Sequence, residues 1–391
     1  MITYGSVHLA DVASLWQLLV RNYALVSIVI TAIVLIVVPV LVIGKYVRLI
    51  LPMLTNTHPP LSPGPQDFAL LEGEAVDFPA FDGHMLRGWV LNGKHDGRDK
   101  RGDRPKGMIL FAHEYASDGQ TCARYCRPLL DAGYDVFSFD FRGHGASGRQ
   151  EGYEPRQWAT EREVADMVGA LAFLGDRLEG QGRPPEVGVV GISRGASAAV
   201  IAAVNHTQIR AMVCDGIYSS DTLLEHLMKR WAYIFAKVRF VYENHPPEFW
   251  RFLRWMVFMV AQYQLKCKFP STRKALQRMP ARPILFIHGE KDSYVPADYV
   301  RDLYAQASEP KELWICPGAK HNQAAVVMPE AYAERTVAFF DRHLAGETPD
   351  RVETLVESVV AEAAQPYESL PSPRVVPVSP SRRSEQPSKK S

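Results

Sequence analysis

The chain has 391 residues, enough for one large catalytic domain with attachments or for two modest domains. Its charges cancel to a formal net charge of +1 without a basic stripe, which excludes a nucleic-acid footprint. Five cysteines, with no CxxC pair and no ligands at metal spacing, exclude a zinc site; they read as small buried hydrophobes and fit a reducing compartment.

Residues 1–24 form an N-terminal segment. An apolar run follows from Leu25 to Ile43, interrupted only by Ser27, Thr31 and Pro39, with no charge between Arg21 and Lys45. At about 1.5 Å per residue a helix over 25–44 spans a hydrocarbon core of about 30 Å. Tyr23 and Tyr46 stand at its two ends, where aromatic rings suit the interface. A cleaved signal sequence would have a shorter apolar region followed by small residues, whereas Lys45, Tyr46, Val47 and Arg48 follow here. The run is therefore read as one retained transmembrane helix that meets membrane lipids. Arg21 precedes it and Lys45 and Arg48 follow it, a tally that favours a cytoplasmic catalytic domain.

Residues 45–67 carry Pro52, Pro59, Pro60, Pro63 and Pro65, which predicts a semi-rigid extended spacer. Such a spacer contributes no core, so a chain starting near Gln66 is expected to be soluble and active.

From 68 to 346, short apolar runs alternate with amphipathic stretches. Met108–Ala112, Val136–Phe139, Val187–Ile192, Ala211–Cys214, Ile284–Ile287 and Leu313–Cys316 read as strands buried on both faces. Helices are predicted over Thr121–Ala132, Glu161–Leu174, Ala196–Val204, Asp298–Ala307 and Pro329–Leu344. This alternation predicts an α/β fold with a doubly wound, mostly parallel sheet. The pattern stops between Gly216 and Pro280, a stretch rich in aromatic residues among Lys and Arg. It reads as a helical cap whose rings either line an acyl pocket and touch the bilayer or form the cap's own core. Residues 347–391 are a tail expected to be disordered beyond about Gln365.

Gly191-Ile192-Ser193-Arg194-Gly195 is a G-x-S-x-G between a predicted strand and a predicted helix, the context of a nucleophile elbow. A serine hydroxyl needs a base beside it. His321 follows the last predicted strand after a short loop, whereas His113 and His288 end strands and suit packing and turn hydrogen bonds. The acid that orients the imidazole falls in His288-Gly289-Glu290-Lys291-Asp292; Asp292 is preferred, Glu290 also fits, and Asp215 is the fallback. Asp140 reads as a turn residue.

These segments resemble the α/β-hydrolase superfamily, and most of all its serine aminopeptidase and monoacylglycerol lipase branch. Asp140-Phe141-Arg142-Gly143-His144-Gly145-Ala146-Ser147 is similar to that branch's D-x-R-G-H-G-x-S segment. The elbow, acid and histidine segments follow in the branch's order. The resemblance implies Ser193 as nucleophile, Asp292 as acid and His321 as base. It further implies an oxyanion hole made by the backbone N–H groups of Arg194 and Tyr115. Here His113-Glu114-Tyr115 stands where the family usually has His-Gly, so a carboxyl group replaces a glycine. The implied function is a membrane-anchored serine hydrolase of an ester or thioester with a lipid-like acyl group, with no cofactor and no metal. The competing readings are a peptidase or amidase, and a binding protein on an inactive hydrolase scaffold. Oligomeric state is not legible.

Overall fold

The computed structural model describes residues 20–57, 72–94, 105–235 and 245–346, together with Ser14, Trp16 and Gln17. The expected tail, and the spacer beyond residue 57, lie outside the described residues.

Five of the six apolar runs form the middle of one eight-stranded sheet, and the sixth, Leu313–Cys316, lies at its edge and is only partly buried rather than covered on both faces. In chain order the strands are β1 (Glu74–Pro79), β2 (Met85–Leu91), β3 (Met108–Ala112), β4 (Asp135–Phe139), β5 (Val187–Ile192), β6 (Ile209–Asp215), β7 (Ile284–Gly289) and β8 (Lys311–Cys316). They lie in the order β1-β2-β4-β3-β5-β6-β7-β8. Every pair from β4 to β8 is parallel. Each residue of β3, β4, β5 and β7 is buried, because helices cover both faces.

The Glu161–Gly180, Arg194–Ala202, Thr272–Arg278 and Ala297–Gln306 helices supply one core layer through Met167, Leu171, Ala199, Leu276 and Leu303. The Cys122–Asp131 and Pro329–His343 helices supply the other through Tyr125, Leu129, Tyr332 and Phe340. All five cysteines are unpaired and buried, as their reading as small hydrophobes requires.

The β1–β2 hairpin is an addition to the strands read from the sequence. It is antiparallel and attaches to β4, again antiparallel, so one edge of the sheet departs from the parallel pattern. Its turn holds Asp82-Gly83, with Gly83 at φ +84, a conformation open to glycine.

The insert between β6 and β7 is helical, with described helices over Ser220–Phe235, Pro247–Leu265 and Thr272–Arg278. Its aromatic residues divide. Trp250 is buried and Phe249 and Phe258 pack against the same cluster, whereas Tyr233, Phe252, Trp255 and Tyr263 are exposed. Phe240 and Tyr242 lie outside the described residues.

The apolar N-terminal run is helical from Tyr23 to Ile50, longer than its apolar core. With the short Pro52–Thr55 helix it is long and apolar enough to cross a membrane. Its side chains are exposed from Ser27 to Val42, and then Val47, Ile50 and Leu54 enter the cap's hydrophobic cluster beside Leu253, Val257 and Ala261. The first part of the expected spacer is therefore core. Trp158 donates its indole N–H to the Met53 carbonyl at 2.8 Å, and Arg156 donates Nε to the Thr55 carbonyl at 2.8 Å. This corrects the expectation that everything before Gln66 is dispensable for the core.

Candidate active site

The site begins with a backbone constraint. Ser193 follows β5 at φ 53, ψ −114, a strained conformation for a side chain with a Cβ, and the Arg194–Ala202 helix starts at the next residue. Strand pairing holds the turn, since the Ser193 N–H donates to the Asp215 carbonyl at 2.7 Å. The two flanking glycines are required by space. A Cβ on Gly191 would lie 2.6 Å from Ala196 Cα, and one on Gly195 would lie 2.2 Å from the Ala112 carbonyl oxygen.

His321 reaches Ser193 from the loop after β8. Its Nε2 lies 2.9 Å from Ser193 Oγ. Its Nδ1 lies 2.6 Å from Asp292 Oδ2. An Asp292 carboxylate can only accept, so Nδ1 carries the proton and Nε2 is left as the acceptor facing the hydroxyl. The other Asp292 oxygen accepts the N–H groups of Tyr294 and Val295, each at 2.9 Å. Burial pushes the Asp292 carboxyl up, but the hydrogen bond and charge of His321, with His288, outweigh it and hold the group below its ordinary value. All three side chains are buried.

The residues weighed as alternatives sit elsewhere. Glu290 accepts the Gly318 N–H at 2.9 Å, and its own N–H donates to Cys316 at 3.0 Å, so it ties the acid loop to the histidine loop. Gly289 permits that closure: a Cβ there would lie 2.4 Å from the Lys320 carbonyl oxygen. His288 has its Nε2 2.7 Å from the Val295 carbonyl and 3.4 Å from Asp292 Oδ2, so it lies behind the acid and does not face Ser193. His113 has its Nδ1 2.6 Å from the Glu114 carbonyl and accepts the Phe141 N–H on Nε2 at 3.0 Å. One donor and one acceptor make it a neutral ring, and burial, His144 and Arg194 hold its pKa well down. Asp140 accepts the Gly119 N–H at 2.6 Å and the Ala146 N–H at 2.5 Å, a turn residue.

Asp215 is buried behind the elbow, and neither of its carboxyl oxygens has a hydrogen-bond partner among the described residues. Burial, then Glu114 and Asp292, push its pKa well above the ordinary value. Glu114 is also buried, with one carboxyl oxygen unpartnered, and burial raises its pKa.

The Arg194 guanidinium is not aimed at Glu114. It is buried and 3.5 Å from Glu163, donates to the Arg156 carbonyl at 2.9 Å, and faces the Tyr115 and Phe141 rings at 5.4 and 5.3 Å. Glu163 also caps its own helix by accepting the Thr160 N–H at 2.9 Å. The sequence reading missed this pair. A capping box at Thr160 was visible as Thr-x-x-Glu, but nothing local marks Glu163 as the partner of a residue 31 positions on. The backbone N–H groups of Arg194 and Tyr115 have no acceptor among the described residues. Among the described residues, no group of three or more His, Cys, Asp or Glu side chains could hold a metal ion.

A family model described as the alpha/beta hydrolase family matches residues 109–335. The uncharacterised protein YqkD of Bacillus subtilis is 23% identical over 281 residues, covering 71% of this chain and 82% of the relative. The uncharacterised protein YfhR of Escherichia coli O157:H7 is 23% identical over 257 residues, covering 64% and 74%. Among solved structures, the Pyrococcus furiosus esterase PF2001 matches with a TM-score of 0.51 at 22% identity, covering 72% of this chain and 94% of that one; the likeness is one of fold.

Proposed function

The chain belongs to the alpha/beta hydrolase family, and from that premise we propose that it is a membrane-anchored serine hydrolase of carboxylic esters or thioesters. The observation that carries the reading is the line Ser193 Oγ–His321 Nε2–Nδ1–Asp292, at 2.9 and 2.6 Å, hung on a strained strand-to-helix turn.

The chemistry follows from those positions. Ser193 Oγ attacks the substrate carbonyl carbon while its proton passes to His321 Nε2. Asp292 holds the imidazole in the tautomer that can accept it and stabilises the resulting cation. The N–H groups of Arg194 and Tyr115 are the donors for the oxyanion, the first of them strengthened by the positive end of its helix. The alcohol or thiol leaves with the proton from His321, forming an acyl-Ser193 ester. Water then attacks with the same proton transfers and releases the acid.

The anchor reading is supported by the exposed apolar run and its charged flank at Lys45 and Arg48. It places the site next to amphiphilic molecules, which favours lipid-like acyl groups. The test is labelling of the full chain by a fluorophosphonate probe, competed by esters of graded chain length. Labelling at Ser193 that long-chain esters suppress is expected. Labelling that aminoacyl arylamides suppress better than any ester would move the assignment to a peptidase, and a folded chain that takes no label would leave it without hydrolase chemistry.

A further inference from the structure

The Pro247–Leu265 helix of the cap carries two apolar stripes at helical spacing. Trp250, Leu253, Val257 and Ala261 face the cap core and are buried. Phe252, Trp255, Met259 and Tyr263 form a second stripe, exposed at 44%, 56%, 43% and 86%. An exposed aromatic stripe on a folded helix needs an occupant. The N-terminal helix identifies it.

That helix is exposed and apolar up to Val42, then changes at Lys45, Tyr46 and Arg48, which is where an aqueous boundary would fall. Tyr46 packs edge-on against Phe249, with ring centroids 6.3 Å apart. The contact fixes the first turn of the Pro247–Leu265 helix at the level of the boundary. Phe252 is three residues further and Trp255 six, so along the helix axis, at about 1.5 Å per residue, they lie about 4.5 and 9 Å from that turn. The headgroup region on each side of a bilayer is about 5–8 Å thick. Phe252 therefore falls inside that layer and Trp255 close to its outer edge, where aromatic side chains are favoured.

We propose that Phe252 and Trp255 seat the cap in the headgroup layer of the membrane that the N-terminal helix crosses. The proposal rests on the anchor reading above, and the occupant is a phospholipid surface rather than another protein.

The full chain is reconstituted in phosphatidylcholine vesicles, with and without lipids brominated on the acyl carbons nearest the headgroup. Tryptophan emission is compared between the wild type and Trp255→Phe, and the difference isolates Trp255. Loss of that difference signal with brominated lipid is the expected result. Removal of the chain from the vesicles by carbonate overturns the anchor and the docking together. A chain that stays in the vesicles with Trp255 unquenched overturns the docking alone. If cross-linked dimers accompany the unquenched signal, the face belongs to a second copy of this chain. Because the readout is optical, a chain without esterase activity still decides the question.

Discussion

Ser193, His321 and Asp292 come from three loops; the backbones of Ser193 and Asp292 bond to Asp215 and Gly289, and the loop of His321 is held by Lys291 N–H on the Ala319 carbonyl and Gln323 N–H on the Lys320 carbonyl. Removing one side chain therefore leaves the frame standing. Ser193→Ala, His321→Ala and Asp292→Asn are each expected to lower ester turnover by about 10³ or more, with non-additive losses because the three act as a unit. Circular dichroism must stay native for each. A folded Ser193→Ala chain that still turns over ester would falsify the assignment.

The pKa directions make a second residue-scale prediction. Asp292 is held low, so its contribution to stability is present above the ordinary carboxylate value of 3.8 and is lost as pH falls through its lower folded value. Asp215 has the opposite sign. Its folded pKa is raised, so the native state retains a proton that the unfolded chain releases, and stability declines as pH rises from 3.8 toward the folded value. One such group costs about 1.4 kcal/mol per pH unit across that window. Asp215→Asn removes the ionisation while keeping the shape. Urea unfolding between pH 5 and 8 is expected to show a shallower loss of stability in the variant than in the wild type. Equal slopes would mean that Asp215 ionises freely in the folded state.

The element that most changes the reading of the chain is the N-terminal helix. Val47, Ile50 and Leu54 are integral to the cap core, and the hydrogen bonds from Arg156 and Trp158 tie the same segment to the loop before the Glu161–Gly180 helix. That loop also gives the Arg156 carbonyl to Arg194, the residue after Ser193. Each buried side chain of this kind contributes about 1.5–3 kcal/mol, an upper estimate because the unfolded chain already buries some of it. A chain starting at Lys45 and one starting at Gln66 both lack the exposed apolar run, but only the second loses these contacts. The Gln66 chain is expected to melt lower by calorimetry and to aggregate through the uncovered cap surface. Matching melting temperatures would show that the packing adds nothing.

Legibility of these elements followed burial. Strands covered on both faces are continuous apolar runs, so β3 to β7 could be read without the fold. The β1–β2 hairpin was not read, because β1 is buried only at Phe78 and offers a weak pattern. Its Asp82-Gly83 turn was the available signal. The elbow, acid and histidine segments carry local signatures. Their juxtaposition, the choice of Asp292 over Glu290, and the pairing of Arg194 with Glu163 all depend on residues far apart in the chain. The packing of Leu54 under the cap was hidden because Pro52 and the prolines after it suggest an extended spacer, whereas proline is well tolerated in the first turn of a helix.

At the scale of the whole molecule, the proposed anchor and the cap converge on the question of what the site is fed. The insert's described rings lie partly in the cap core and partly on its surface, which leaves less aromatic area for an acyl pocket than the sequence suggested. A preference for long acyl chains can then have two physical sources. Chain lengthening concentrates an ester in the bilayer, and it also adds contact in a pocket. Each buried CH₂ is worth about 0.8 kcal/mol, or about fourfold in transition-state binding, until the pocket is full. The two separate when the full chain is held in vesicles and protein-free vesicles are added. Substrate drawn from the membrane is then diluted over more surface, so hydrolysis of a palmitoyl ester falls in proportion while that of an acetyl ester is unchanged. Rates from acetyl to palmitoyl, divided by the substrate's surface concentration, isolate the pocket. A remaining climb of about fourfold per methylene over part of the series is expected for a lipid-selective pocket. A flat normalised series would mean that the anchor alone provides the selectivity, and an optimum at acetyl would sink the lipid-like reading.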